Sequence, residues 1–428
     1  VPLLLVFLAD GRRGVRQVWP AAVVIGVVFA VAQWACATYL SVELTDIVAS
    51  LAGLAAGNPV FATRHERSKV AVATQACEDL LLGDALTAGL SQIERLVLAA
   101  EQARVSGVDA LAAEYRARAL ALGDALTPAL RSVLDQAGTQ TGDARLDAML
   151  HFVRTLALKP AHSDQATLLA IPAAGLSVDD TVLLAQLVGF VAYQARLLVG
   201  VQAMAALGGI APSATPDTLA AAPFVHPANL PAPGEPLRRN GFTSETLDWK
   251  SWLPVLDPAT ATPEQQKVLE ISHPKAKTMD FYLLLGRQPA VLLERSQAFN
   301  AIMYAPGGLS RAEREVAATA VSRSNGCVYC ASVHAQRFEQ LAKRNDVMAQ
   351  LFDDPDTAGT NARERAIIQA SLVLTRAPGA FAARDVLALR EAGLSDLEIL
   401  DMLHSAALFG WANRLMLNLG VEIWPQAA

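Results

Sequence analysis

The sequence predicts an all-α protein, built as two homologous helical-bundle domains preceded by one transmembrane helix. Hydrophobic residues make up 53% of the 428-residue chain but aromatic residues only 6%. Alanine and leucine supply most of the apolar content, and both favour helices over strands. Helix-start signals also recur along the chain, and two long stretches are repeated at a constant spacing. We therefore expect helices throughout and no sheet.

The first segment, residues 1–44, contains the predicted transmembrane helix. Residues 17–42 carry no charge, and about 20 apolar residues suffice to span a bilayer. Arginines precede this run, so the positive-inside rule predicts a cytoplasmic N-terminal side and export of everything after it. That orientation conflicts with the thiol chemistry inferred below, which needs a reducing compartment.

The stretch DGRRGVRQVWPAAVVIGVVFAVAQWACATYLSVELTDIVASLAGLAA resembles an internal segment of the L-lactate permease family, a family of many-helix transporters. A single spanning helix cannot build a transport pathway, and the chain begins at Val1 inside an apolar run. We interpret residues 1–44 as a truncated or fused remnant, with a genuine single-helix anchor as the alternative. We expect a cytoplasmic catalytic part and membrane association through residues 17–42.

The rest of the chain divides into a first domain at residues 45–205 and a second at 241–428. Between them, residues 206–240 hold seven prolines and show no apolar periodicity, which predicts a linker. The two flanking parts share sequence. GLSQIERLVLAAEQARVSG, from Gly89, matches GLSRAEREVAATAVSRSNG, from Gly308, at an offset of 219 residues. A second matching pair has an offset of 218, so we expect both domains to have one fold.

The repeated Gly-Leu-Ser-x-x-Glu signature predicts where helices begin. A serine can accept a hydrogen bond from the backbone N–H three residues on, while the acid accepts one from the serine N–H. The capping boxes predicted in this way are Ser91 with Glu94, Ser310 with Glu313, and Ser395 with Glu398, and Ser177 with Asp180 is a weaker version. The helix that begins after Ser310 should end near Ser324, because Asn325-Gly326 is a strong turn dipeptide.

The stretch SNGCVYCASVH carries the chemistry. Cys327 and Cys330 would occupy the first turn of a new helix, and His334 follows one turn later on the same face. A helix N-terminus favours a thiolate and an imidazole can accept the thiol proton, so one cysteine could act as a nucleophile. The second could attack a sulfenic acid on the first and close a disulfide. Glu315, in an apolar run of the preceding antiparallel helix, is the candidate relay acid, although an ordinary, partly exposed glutamate in the second turn of a capped helix is the alternative.

Glu-x11-Cys-x2-Cys-x3-His, from Glu315 to His334, is similar to the motif of the alkylhydroperoxidase-D-like branch of the carboxymuconolactone decarboxylase family. The similarity extends from about Asn240 to Gly420 and includes FNAIMYAPGGL and WANRLMLNLG. The resemblance implies an all-α fold, homo-oligomers, and reduction of a peroxide substrate through the dithiol.

Carried over by position, the resemblance makes Cys330 the peroxide-attacking thiol and Cys327 the resolving, donor-facing thiol. His334 would be the base and Glu315 the relay acid. Tyr329 stands where some relatives have histidine, which leaves the role of that position open. The resemblance also implies a dihydrolipoamide-like or thioredoxin-like thiol donor. We expect neither a cofactor nor a metal.

The first domain resembles a second branch of the same family but lacks the motif. The repeat places Leu96 at the position of Glu315, and Val108, Leu111 and Tyr115 at the positions of the two cysteines and the histidine. This domain cannot use the same dithiol mechanism, so we expect it to be a structural partner or to hold a pocket of another use.

Other functions stay open at this level. Zinc could bind Cys327, Cys330 and His334 with His404, although structural zinc normally takes four ligands from two segments. A non-enzymatic redox sensor or scaffold is a second alternative, and a fragment of a lactate transporter fused to a peroxidase is a third. Nucleic-acid binding is excluded, because the net charge of −6 is spread over interspersed acids and bases. Cys36 and Cys77 stand alone in apolar stretches, which predicts inert, buried thiols.

Overall fold

The computed structural model describes residues 59–86, 88–210, 230 and 233–425. The chain divides into two compact units, residues 1–63 and 64–428, and the account below concerns the second, together with the helix that begins at Pro59. The transmembrane helix predicted at residues 17–42 lies outside the described residues, as does Cys36.

The described chain is mostly helical, as predicted, with short 3-10 turns between some helices. The helices are α1 Pro59–His65, α2 Ser68–Leu82, α3 Gln92–Val105, α4 Asp109–Ala121, α5 Pro128–Asp135, α6 Ala144–Leu158, α7 Gln165–Ala173, α8 Val178–Ala205, α9 Pro263–Ser272, α10 Asp280–Leu285, α11 Pro289–Met303, α12 Arg311–Ser324, α13 Val328–Ala342, α14 Asp346–Asp353, α15 Ala362–Arg376, α16 Ala383–Glu391 and α17 Asp396–Asn418. The strands are β1 Arg238–Arg239, β2 Phe242–Thr243, β3 Asp248–Ser251 and β4 Gly420–Ile423.

The expectation of no sheet is wrong. Two antiparallel two-stranded ribbons are present in the described residues, β1 with β2 and β3 with β4. The β1–β2 ribbon begins inside the segment predicted to be linker, where the absence of helical periodicity left the backbone free to pair as strands. Trp249 of β3 is buried and its indole N–H donates to the carbonyl of Met416 at 3.0 Å. The ribbon therefore fastens the start of the second half to the end of α17.

The same succession of helices occurs twice within the described residues. Helices α3 to α8 correspond to α12 to α17, at offsets of 219 residues for α3 and 218 for α8, and α2 corresponds to α11. The predicted capping boxes at Ser91, Ser310 and Ser395 are all present and begin α3, α12 and α17. The local signals thus set equivalent helix starts in both halves.

The long helices α8 and α17 pack against each other in the core and join the halves. Gly189 of α8 lies so close to Trp411 of α17 that an added Cβ would stand 2.0 Å from the indole Cδ1. The Trp411 indole N–H donates to the Gln186 side chain at 3.0 Å. The two sequence halves therefore belong to one compact unit, because their longest apolar helices bury each other.

Two buried arginines make reciprocal contacts between the halves. Arg196 donates to the carbonyl of Thr375 at 2.9 Å, and Arg414 donates to the carbonyl of Ala157 at 3.0 Å. Each arginine is the repeat counterpart of the other, and the two acceptor residues are counterparts as well, at the same offset of 218. The halves are thus related by an approximate two-fold axis that passes between α8 and α17.

Within the described residues, α8 is the helix that has the length and apolar composition to cross a bilayer, but 83% of its most apolar window is buried inside the protein.

Candidate active site

A helix–turn–helix unit holds both cysteines. Helix α12 ends at Ser324, as the capping and turn signals predict, and Gly326 then adopts a left-handed conformation with φ of +75°. Cys327 occupies the N-cap of α13, which places Cys330 in the first helical turn. Both cysteines are free thiols and both are buried. The Asn-Gly turn therefore directs the cysteine pair back towards α12.

Glu315 and His334 form a buried pair across the two antiparallel helices. Oε2 of Glu315 lies 2.5 Å from Nδ1 of His334, and the two residues are 3% and 8% exposed. The imidazole also contacts Phe409 edge-on, at 4.3 Å between ring centroids. Because Nδ1 is engaged by the carboxylate, Nε2 is the ring nitrogen that remains for proton exchange. The alternative of a partly exposed Glu315 is wrong, because packing of α12 against α13 covers this face.

A cavity of about 150 Å³ opens beside Cys330 and His334, and both residues line it. Cys327 does not line it and is 1% exposed. Burial, together with the neighbouring Cys330 thiol, raises the pKa of Cys327 well above the ordinary value of a cysteine. The two thiols are thus unequal: Cys330 is accessible from the cavity, and Cys327 is held behind it as a neutral thiol. The donor-facing role of Cys327 stays a prediction.

Aromatic side chains and two arginines form much of the cavity wall. Tyr329, left without a role by the sequence, lines it together with Tyr304 and Phe299. Arg295 of α11 and Arg337 of α13 line it as well. Sequence reasoning missed both arginines. Apolar residues nevertheless stand three and four positions before and after Arg295, at Val291, Leu292, Ala298 and Phe299. A charge inside the apolar face of a helix was the available signal.

The first half has no equivalent chemistry at the corresponding place. Leu96, Val108 and Tyr115 are all buried, and Leu111 is half-buried. The Tyr115 hydroxyl has no hydrogen-bond partner among the described residues, and burial raises the pKa of this phenol well above its ordinary value. Packed leucine, valine and tyrosine side chains thus stand at the positions that the reactive groups occupy in the second half.

His404, the additional ligand considered for zinc, lies elsewhere in the core. Its Nδ1 is 3.0 Å from the Tyr193 hydroxyl, and it does not line the cavity. Across the described ranges, no three His, Cys, Asp or Glu side chains are grouped closely enough to hold a metal ion.

Comparisons with known proteins match two separate parts of the chain. The model of the carboxymuconolactone decarboxylase family matches residues 289–372, and that of L-lactate permease matches residues 1–80. The permease match runs beyond the predicted boundary at residue 44 and includes most of α2.

Among curated proteins, the L-lactate permease of Escherichia coli K12 is 45% identical over 47 residues, which are 11% of this chain and 8% of the permease. The glycolate permease GlcA of the same organism is 44% identical over 54 residues, 13% of this chain and 10% of that protein. The chain thus spans about a tenth of the length of the curated relatives it matches.

Among solved structures, a protein from Ralstonia eutropha JMP134, described as an alkylhydroperoxidase AhpD core and an uncharacterized peroxidase-related protein, is 28% identical. The alignment covers 38% of this chain and 87% of that one, with a TM-score of 0.34. A peroxidase-related protein from Silicibacter sp. TM1040 is 26% identical over 39% of this chain and 91% of its own, with a TM-score of 0.33.

The family match falls on helices α11 to α15, which contain the cysteine pair and the glutamate–histidine pair. It confirms the resemblance inferred from the Glu-x11-Cys-x2-Cys-x3-His spacing, and the permease match confirms the one inferred for the N-terminal stretch. Residues 289–372 therefore belong to the carboxymuconolactone decarboxylase family.

Proposed function

We propose that this protein is a thiol peroxidase that reduces a hydroperoxide through Cys330 and Cys327. The observation that carries the proposal is the arrangement at the cavity wall. Cys330 and His334 both face the cavity, His334 is bonded to Glu315 at 2.5 Å, and Cys327 lies one helical turn behind. This arrangement supplies a nucleophile, a proton carrier and a second thiol at one place.

The first step would be attack on the peroxide. His334 takes the proton of the Cys330 thiol, and the thiolate attacks the terminal peroxide oxygen. An S–O bond forms as the O–O bond breaks, and the departing alkoxide takes the proton from His334 and leaves as an alcohol. Two electrons pass from sulfur to the peroxide, and Cys330 becomes a sulfenic acid. Glu315 positions the imidazole and stabilises its protonated form.

The second step would form the disulfide. Cys327 attacks the Cys330 sulfur, so that an S–S bond forms while the S–O bond breaks, and the hydroxide leaves as water with the Cys327 proton. The raised pKa of Cys327 suits this order, because that thiol stays protonated until the sulfenic acid appears next to it. A dithiol donor then restores both thiols by exchange. The dihydrolipoamide-like or thioredoxin-like identity of this donor rests on the family resemblance alone.

The proposal is tested by peroxide consumption with the full-length chain, purified in a mild detergent and supplied with a dithiol donor. Cys330→Ser should abolish turnover, because no nucleophile remains in the cavity. Cys327→Ser should allow one equivalent of peroxide to react and leave a sulfenic acid that dimedone traps at Cys330. Cys77→Ala is the matched control, since Cys77 is also a buried free thiol but does not line the cavity. Undiminished turnover by Cys330→Ser would contradict the proposal.

Membrane association through residues 17–42 and assembly into homo-oligomers belong to the same proposal. The permease-like match at residues 1–80 supports the first, and the second rests on the family resemblance. Sedimentation of the full-length chain with lipid vesicles, compared with a chain that lacks residues 1–44, tests the association directly.

A further inference from the structure

Arg295 is a buried charge that has no partner in the described part of the chain. The residue is 4% exposed, and its Nε has no hydrogen-bond acceptor. Its guanidinium lies over two aromatic rings, 5.5 Å from the centre of Phe281 and 5.7 Å from that of Trp411. Burial lowers the pKa of Arg295, which reflects the cost of holding a positive charge there. Buried guanidinium groups are normally paired with an acid or with several acceptors.

The cavity beside Arg295 supplies no negative charge of its own. Among the described residues, no aspartate or glutamate lines it, and Arg337 adds a second positive group to the wall. Arg337 donates to the side chain of Gln340, which is neutral. Glu315, which is bonded to His334, also stabilises the positive charge of Arg337. No aspartate or glutamate of the described residues offsets the charge of Arg295 in the same way, so this positive charge stands uncompensated next to Cys330.

In the first half, the arginine that corresponds to Arg337 is paired with a carboxylate. Arg118, the repeat counterpart of Arg337, forms an ion pair with Glu78 at 2.8 Å. Gln194 donates to the other oxygen of Glu78 at 2.7 Å. Helices α2 and α11 are both 15 residues long. When the two helices are aligned from their first residues, Phe299 of α11 takes the position of Glu78 of α2. The second half has lost the internal carboxylate.

The same alignment of α2 with α11 places Arg295 at the position of Thr74. The Thr74 hydroxyl donates to the carbonyl of Val70 at 2.8 Å and accepts from Nη2 of Arg64 at 3.1 Å. The second half thus lacks the Glu78 carboxylate at this place and carries its guanidinium on α11 itself. The missing carboxylate favours a negative charge that comes from outside the chain.

The size and the wall of the cavity restrict what could bring that charge. An apolar cavity of about 150 Å³ can hold one benzene ring, and this cavity has a comparable volume. Phe299, Tyr304 and Phe409 provide apolar surface beside Arg295. A hydrocarbon body with a single anionic group matches both parts of the wall.

We propose that this cavity binds a small organic anion, a carboxylate on an aromatic or branched hydrocarbon body, whose charge pairs with Arg295. Arg295 acts as the specificity residue, and the aromatic side chains hold the hydrocarbon part. For the peroxidase reaction, and resting on the function proposed above, the substrate class is then an organic hydroperoxide that carries a carboxylate.

Binding of benzoate and of benzamide to the full-length chain, measured by calorimetry, tests the anion site without any turnover. The two probes have the same shape and differ in charge. Benzoate should bind at least about tenfold more tightly, since a charge-assisted pair forms only with the anion. Arg295→Met should abolish the difference, and Arg295→Lys should retain part of it. Equal binding of both probes by the wild-type chain would overturn the proposal.

The control is Arg323→Met. Arg323 also lies over an aromatic ring, 4.4 Å from the centre of Phe242, but does not line the cavity. The benzoate preference should survive this change. Replacing a buried charge by an apolar side chain of similar volume is commonly tolerated, so Arg295→Met should fold, and circular dichroism checks that it does. Loss of the preference in Arg323→Met as well would contradict the role of Arg295.

Turnover of tert-butyl hydroperoxide and of a matching carboxylate, 3-hydroperoxy-3-methylbutanoate, separates this inference from the proposed peroxidase. The wild-type chain should have a kcat/KM at least about tenfold higher for the carboxylate, and Arg295→Met should lose that ratio. Equal turnover of both would refute the substrate class and leave the peroxidase intact. Benzoate binding without turnover of either would support the anion site and refute the peroxidase. An equal loss of turnover for both substrates in Arg295→Met would mean that Arg295 acts on the thiolate and would overturn the specificity role.

Discussion

Protonation of His404 is opposed by its surroundings in the core. Burial lowers the pKa of its imidazole to about 3, and Nδ1 lies 3.0 Å from the Tyr193 hydroxyl. In the unfolded chain a histidine binds a proton below about pH 6.5. The unfolded state therefore gains protons that the folded state does not accept between about pH 6.5 and 3. Over this window stability falls as the pH falls, by up to about 1.4 kcal/mol per pH unit from this group.

The variant His404→Gln tests this dependence because glutamine does not titrate and still offers an acceptor to Tyr193. Its melting temperature should fall less steeply than that of the wild-type chain as the pH is lowered from 6.5 to 4. Exposed His151, replaced by Gln, is the control and should follow the wild-type curve. Parallel curves for His404→Gln and wild type would rule out the proposed contribution.

The catalytic candidates were predictable residue by residue because their positions follow from local geometry. Cys327, Cys330 and His334 lie within two turns of one helix, and their shared face follows from the helical repeat. Arg295 was not predictable in this way. Its importance depends on what lies around it: Phe281 comes from the preceding helix α10, and Trp411 comes from α17, in a distant part of the chain. Whether a buried charge is paired depends on the residues that surround it in the fold. The residues next to Arg295 in the sequence do not reveal what those surroundings are.

At the level of elements, the α12–α13 turn sets the position of the cysteine pair. Gly326 adopts a φ of +75°, and an added Cβ would stand 3.2 Å from the Cβ of Ala161. Its counterpart Gly107 has a φ of +72°, but there the nearest atom, the Cα of Gly379, is 3.9 Å from the added Cβ. The two turns thus have the same backbone strain and differ in crowding.

Alanine at either position should destabilise the protein, because a left-handed conformation costs a residue with a Cβ about 1–2 kcal/mol. We expect Gly326→Ala to cost more than Gly107→Ala, since only the former also crowds Ala161. Urea unfolding of both variants measures the difference. Equal losses would mean that the neighbouring chain moves aside without cost, and that the turn is not constrained by the other half.

At the scale of the whole molecule, contact between α8 and α17 decides that the two halves form one unit. Gly189 permits this approach, because any Cβ there would overlap the indole of Trp411. Gly189→Ala should destabilise the protein by about 1–3 kcal/mol or more through overpacking. Both halves should lose stability together, because the contact belongs to both.

Thermal unfolding of Gly189→Ala, followed by far-UV circular dichroism and by the reactivity of the Cys327 and Cys330 thiols, measures this coupling. The two signals should move to the same lower temperature in a single transition. Two separate transitions, with the thiols still protected while the first half unfolds, would contradict the single-unit interpretation.

The sequence by itself determined the helical class, the helix starts at the three capping boxes, the repeat, and the spacing of Glu315, the cysteines and His334. All of these depend on interactions between residues close along the chain. Only the tertiary structure decided the remaining features: the pairing of the halves through α8 and α17, the two β-ribbons, and the inequality of the two thiols. It also decided that Arg295 stands unpaired in the cavity. Burial and charge balance arise from residues that meet across the fold, and no short stretch of sequence contains both partners.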